Sequence, residues 1–106
     1  MSNISKERWH TFSLAEQLGN IGSEVGRAAK WQNKDEQLFW GAVTRAMALF
    51  DLTQMDKRWK SRRSEIDRAR EVFADAVLGG EEYHSFLPDI EAYFMRFALF
   101  VRSQTI

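Results

Sequence analysis

The stretch Ser13–Trp31, SLAEQLGNIGSEVGRAAKW, decides the fold. Ser13 and Glu16 stand at capping-box spacing, so the hydroxyl can accept from the Glu16 amide while the carboxylate reaches back to the Ser13 amide. That sets a helix start. Leu14, Leu18, Ile21, Val25 and Ala28 then recur at intervals of four, three, four and three, on one face of a 3.6-residue helix. Burying that stripe contributes roughly 6–10 kcal/mol, an upper bound because unfolded chains are already partly collapsed.

Two further rows flank the stripe. Gly19, Gly22 and Gly26 line one side. Each costs about 1 kcal/mol relative to alanine in a helix interior, so a close approach by another backbone must offset it. That approach is expected inside the subunit, with a glycine-lined subunit interface as the alternative. Gln17, Asn20, Glu24 and Arg27 line the other side as a polar seam. Half-buried polar groups need partners, so a structural network is the first expectation and a ligand or catalytic site the second.

Working outward, residues 1–12 read as a mostly irregular arm whose Trp9 and Phe12 fold over an end of the domain. After a polar turn, Asp35 is the expected N-cap of a second helix from Glu36 to Leu52, with Phe39, Val43, Ala46 and Phe50 as its stripe. Its apolar arc is wider than two neighbours need, and Trp40 at the margin is a candidate for contact with a partner. A third helix is expected from Asp56 to Leu78, its inner face including Trp59, Ile66 and Phe73, with Gly79-Gly80 as its stop. Pro88 suits the first turn of a fourth. Ile90, Phe94, Phe97 and Val101 form that helix's inner stripe, while Ala92, Met95 and Leu99 lie on its far side. A terminal helix apolar on both sides points to a subunit interface.

These elements predict an all-α, antiparallel up-down four-helix bundle in one domain spanning 1–106. The 44% apolar content excludes a disordered chain, and fifteen basic residues cancel fifteen acidic ones, so global charge nominates neither nucleic acid nor an anionic membrane. With no cysteine, no leader and no apolar run near membrane-spanning length, a cytoplasmic protein without membrane contact is expected.

Charge within the third helix is uneven. Lys57, Arg58, Lys60, Arg62, Arg63, Arg68 and Arg70 crowd its start, against the helix dipole. Lys57, Arg58, Lys60, Arg62 and Arg63 beside Trp59 form a candidate nucleic-acid contact, with the indole as a stacking surface. The competing expectation is pairing with acids of this or a neighbouring subunit. Glu71 to Glu91 holds six acids and no Lys or Arg.

Catalytic chemistry finds little support. His10 and His84 are the only histidines, and no HExxH pair exists, so no metal and no cofactor is expected. Helical nucleotide hydrolases hold magnesium with acid clusters on facing helices. Glu16, Glu24, Glu71 and Asp75 approximate that pattern, but Asn20 stands where an acid belongs. A metal-dependent nucleotide hydrolase is therefore the third reading. There is no nucleophile elbow and no phosphate-binding glycine loop.

The segments Leu14–Leu18, Asn20–Val25 and Arg27-Ala28, with Arg45-Ala46, Leu49, Asp51–Thr53, Arg70–Val72, Asp75, Gly79, Tyr93-Phe94 and Phe97-Ala98, resemble a group of small uncharacterised bacterial four-helix-bundle proteins. The resemblance covers most of the chain from Trp9 onward and implies a helical fold without naming a chemistry. In layout the chain is similar, more distantly, to the bundle proteins encoded in ribosomal-RNA intervening sequences and to retroelement accessory proteins. Those form ring-like oligomers, and some contact nucleic acid. Within this likeness Gln17, Asn20, Glu24, Arg27 and Arg70 are the polar residues of interest, and Glu24 is expected to pair with Arg70 across the first and third helices. The leading expectation is a non-enzymatic interaction or scaffold protein that self-associates through Trp40, Ala92, Met95 and Leu99, with a protein partner as a further expectation. A nucleic-acid accessory factor is the alternative.

Overall fold

The computed structural model describes residues 5–79 and 86–103. It is all-helical: α1 (Lys6–Trp9), α2 (Leu14–Trp31), α3 (Glu36–Gln54), a 3₁₀ segment (Lys57–Arg62), α4 (Arg63–Val77) and α5 (Leu87–Ser103). The expected Gly80 stop and the loop histidine His84 lie outside the described residues, as do residues 1–4 of the arm.

Local chemistry sets the helix ends. At the start of α2 the Glu16 amide donates to Ser13 Oγ at 3.1 Å and the Ser13 amide donates to Glu16 Oε1 at 2.8 Å, closing the expected capping box. The bond from the Ser13 backbone, then the one with its hydroxyl, lowers the Glu16 carboxyl below its ordinary range. Asp35 caps α3 by accepting from the Leu38 amide at 3.0 Å. Between them Asn33 takes a left-handed conformation (φ 64°), which asparagine tolerates better than most residues. After α4, Gly79 adopts φ 109°, a conformation that suits glycine.

One expectation is refined and one corrected. Within the N-terminal arm Lys6–Trp9 forms a short helix: Ser5 caps α1 by accepting from the Arg8 amide, and Trp9 is fully buried in the core. The third helix does not run α-helically from Asp56. Lys57–Arg62 is a 3₁₀ segment in which Trp59 leaves helical geometry (φ −101°, ψ 22°), and only Arg63–Val77 is α-helix. Asp56 causes this by bonding both the backbone and the side chain of Arg58 two residues on. Trp59 is consequently half-buried at the edge, not on an inner helical face.

α2 is the central element, packing against both α3 and α5. Its stripe of Leu14, Leu18, Ile21, Val25 and Ala28 is buried throughout. The deepest layer is aromatic. Phe50 of α3 stands 5.9 Å from Phe73 of α4 and 5.5 Å from Phe94 of α5, ring centre to ring centre, so one side chain joins three helices.

The glycine row receives α5. A Cβ built on Gly22 would lie 3.2 Å from Phe94 Cβ, and one on Gly26 would meet the Glu91 carboxylate at 2.5 Å, whereas Gly19 faces open space. The close approach is therefore within the subunit. Gly19→Ala should raise the melting temperature, by up to about 1 kcal/mol of helix propensity. Gly22→Ala should lower it, because Phe94 Cβ is held by its own backbone in a buried site. Gly26→Ala should cost little, since Glu91 can swing aside. Thermal melts of the three variants by circular dichroism check this order.

Candidate functional site

Polar chemistry concentrates where α1, the start of α2, the end of α3 and the 3₁₀ segment meet. Gln17 is fully buried there. Its amide nitrogen donates to the Trp9 carbonyl at 3.0 Å and to Asp56 Oδ2 at 3.1 Å, and its oxygen accepts from Trp59 Nε1 at 2.9 Å. Trp9 Nε1 donates to Thr53 Oγ1 at 3.0 Å. Arg58 grips Asp56 through Nε at 3.0 Å and Nη2 at 2.6 Å, bonds the Phe12 carbonyl at 2.9 Å, and stacks 4.4 Å over the Trp59 ring. Burial alone would raise the Asp56 carboxyl, but hydrogen bonds from the Arg58 side chain and backbone, then from Gln17, outweigh it and hold it at about 2.

Beside this clasp lies an open depression of about 780 Å³ lined by Asp51, Gln54, Met55, Asp56, Lys57, Trp59, Lys60 and Arg63. The basic residues read from the sequence divide there. Arg58 is committed to Asp56. Arg63 Nη1 donates to the Gln54 carbonyl at 3.0 Å and its Nε to Asp67 Oδ1 at 2.8 Å; the latter bond, with one from the Gln54 side chain at 2.7 Å, lowers the Asp67 carboxyl. Arg62 pairs with Glu65 at 3.4 Å and lies 5.9 Å from the Phe100 ring. The anchors are thus the nearby acids Asp56, Glu65 and Asp67. Lys57 and Lys60 project from the exposed rim beside the half-buried indole.

The polar seam of α2 is not continuous. Gln17 belongs to the clasp. Asn20 is exposed and its amide donates to the Glu16 carbonyl of its own helix at 2.8 Å. Glu24 is buried and accepts from Arg45 Nε on α3 at 3.1 Å, with exposed Arg27 also at 3.1 Å. The expected Glu24–Arg70 pair does not form. Arg70 bonds Asp51 of α3 at 3.2 Å, and its Nε is buried without a hydrogen-bond partner among the described residues. The reason is packing: α2 lies on α3 and α5, while Arg70 on α4 reaches α3.

The second unusual surface is apolar. On α5 the side chains of Met95 (55% exposed), Leu99 (59%) and Phe100 (54%) face out beside exposed Ala92. Trp40 of α3 is 44% exposed and packs edge-on against Phe39, ring centres 4.9 Å apart.

Among the described residues no three His, Asp or Glu side chains converge in a way that could hold a metal ion. Glu16 is used by its capping box and Glu24 by Arg45 and Arg27, so these two acids of the hydrolase pattern are engaged structurally. Among the same residues no helix is long and apolar enough to cross a membrane. Comparisons with protein-family models, curated proteins and solved structures find no match to this chain.

Thr53 and Asp56 were not visible as site residues in the sequence, because the groups that draw them into the clasp, the Trp9 indole and the Gln17 amide, lie 44 and 39 residues away. In the sequence Asp56 stands as the first residue of the expected third helix. Gln17→Leu should cost about 2–4 kcal/mol, since it strands the Trp9 carbonyl, Asp56 and the Trp59 indole together. Asn20→Ala and Arg27→Ala should stay within about 0.5 kcal/mol of the parent, as exposed sites do. Urea titrations separate these cases. Acid tests the carboxylate independently. The folded value of Asp56, about 2, lies below its ordinary 3.8, so its contribution is complete above about pH 4 and fades as pH falls toward 2. The loss is about 2 kcal/mol, and Asp56→Asn should flatten that limb of a stability-against-pH curve.

Proposed function

We propose that this chain is a non-enzymatic interaction module, an antiparallel up-down bundle of α2, α3, α4 and α5 that self-associates through the outer face of α5. Paired contacts support the alternating directions. Gly22 and Gly26 of α2 meet Phe94 and Glu91 of α5 in descending order. Asp51 and Gln54 of α3 likewise meet Arg70 and Asp67 of α4.

The observation that carries the reading is the exposure of Met95, Leu99 and Phe100 together on one helix whose other face is buried. Leaving large apolar side chains exposed to water is unfavourable by about 25 cal/mol per Å², and covering them with protein recovers that energy. Trp40 on α3 offers a further apolar contact, for a second copy or a protein partner. In light scattering the parent chain should run as an oligomer. Met95→Glu combined with Leu99→Glu should give a monomer with unchanged helical circular dichroism. A parent chain that stays monomeric at every concentration tested overturns the reading.

A second reading has its own observation. Lys57 and Lys60 flank Trp59 on the rim of the open depression, an arrangement suited to a phosphate backbone with a base on the indole. This would make the chain a nucleic-acid accessory factor. Its signature is affinity for mixed RNA or DNA that falls steeply between two salt concentrations and is lost in Lys57→Glu/Lys60→Glu. Absence of binding at low salt removes it.

A further inference from the structure

We infer that the depression beside the clasp takes an unpaired nucleic-acid strand, one base against Trp59 and its backbone crossing Lys57 into a neighbouring hollow at Lys6. The inference rests on the nucleic-acid reading given second above, and adds to it the form of the ligand and a further contact.

The surface in question extends beyond Trp59 and its two lysines. A second hollow of about 350 Å³ is lined by Lys6, His10, Met55, Asp56, Lys57 and Arg58. Met55, Asp56 and Lys57 line both hollows and form the ridge between them. Charge along this path is one-sided. Its two acids are already answered by guanidinium groups, Asp56 by Arg58 and Asp51 by Arg70, and Arg63 is answered by Asp67. Lys6, Lys57 and Lys60 are left over. All three are exposed, and none has an ion pair among the described residues. Such a surplus suits a polyanion, whose binding gains from the release of its counterions.

The indole decides which polyanion. Arg58 stacks 4.4 Å over the Trp59 ring, and the ring nitrogen donates to Gln17. Arg58 lines only the second hollow, so the ring surface that borders the first is left for a ligand. It offers a stacking place for one base, reached from within a concavity. Bases in a duplex are stacked on both faces and paired at their edges, so one of them would have to leave the helix to reach this ring. A single strand presents a base without that cost, and stacking on an aromatic side chain is tolerant of which base it is.

Fluorescence anisotropy with a labelled oligodeoxythymidine, alone or annealed to oligodeoxyadenosine, tests this across a range of salt concentrations. The single strand should bind about tenfold tighter than the duplex. Its log affinity should fall against log salt with a slope of about −2, from about 0.7 for each of three phosphates. Lys6→Ala should weaken binding and reduce that slope by about 0.7, with the thermal melt unchanged. Met55 is half exposed on the ridge, so Met55→Glu sets a negative charge in the path without touching the clasp's hydrogen bonds, and should abolish binding. Equal affinity for duplex and single strand overturns the choice of an unpaired strand while leaving nucleic-acid binding intact. Single-strand binding that neither variant alters overturns the path across the ridge. Binding of neither probe at low salt removes the nucleic-acid reading itself.

Discussion

The side-chain amide of Gln17 is the constraint on which the rest of this structure turns. Buried among apolar groups, it holds the carbonyl of Trp9 on α1 and, at the 3₁₀ segment, the carboxylate of Asp56 and the indole of Trp59. Each bond contributes only about 1 kcal/mol net, but each lost partner leaves a desolvated group costing about 1–3 kcal/mol. The arrangement therefore acts mainly through specificity. Any docking of the N-terminal turn or of the 3₁₀ segment that fails to meet Gln17 is penalised several times over. It explains why a short arm carrying a fully buried tryptophan adopts one position.

From this end the molecule divides its labour. Polar groups at the clasp are spent on one another, and Glu24 is likewise spent on Arg45 and Arg27. The unspent surface is apolar and lies on α5, away from the clasp's hydrogen bonds, while the glycine row of α2 lets the inner face of that helix approach closely. Core, clasp and outer face are separable features of one small fold.

How much of this could be read in the sequence follows from distance along the chain. The capping box, the stripe of α2, the Asp35 cap and the left-over apolar face of α5 are local patterns, and they were legible. So was the peculiarity of Gln17 and Glu24. Their partners were not: Gln17 bonds residues 8, 39 and 42 positions away, and periodicity says nothing about such pairs. The Glu24–Arg70 expectation failed for the same reason, since it needed to know which helices touch. Lys57–Arg62 went unrecognised because Asp56–Leu78 contains no glycine or proline, and only the Asp56–Arg58 bond converts its start to a tighter winding. α1 is four residues long, too short for any pattern to emerge.

The 3₁₀ segment contributes no buried residue of its own. It is fastened by Arg58, Asp56 and the indole bond to Gln17, and not by a greasy face. Such a stretch opens at lower free energy than the helices around it, so its amides should exchange with solvent well before those of α2. Arg62, at its end, lies over the ring of Phe100 on α5. Opening of this one poorly anchored turn would therefore also withdraw the Arg62 guanidinium from that ring.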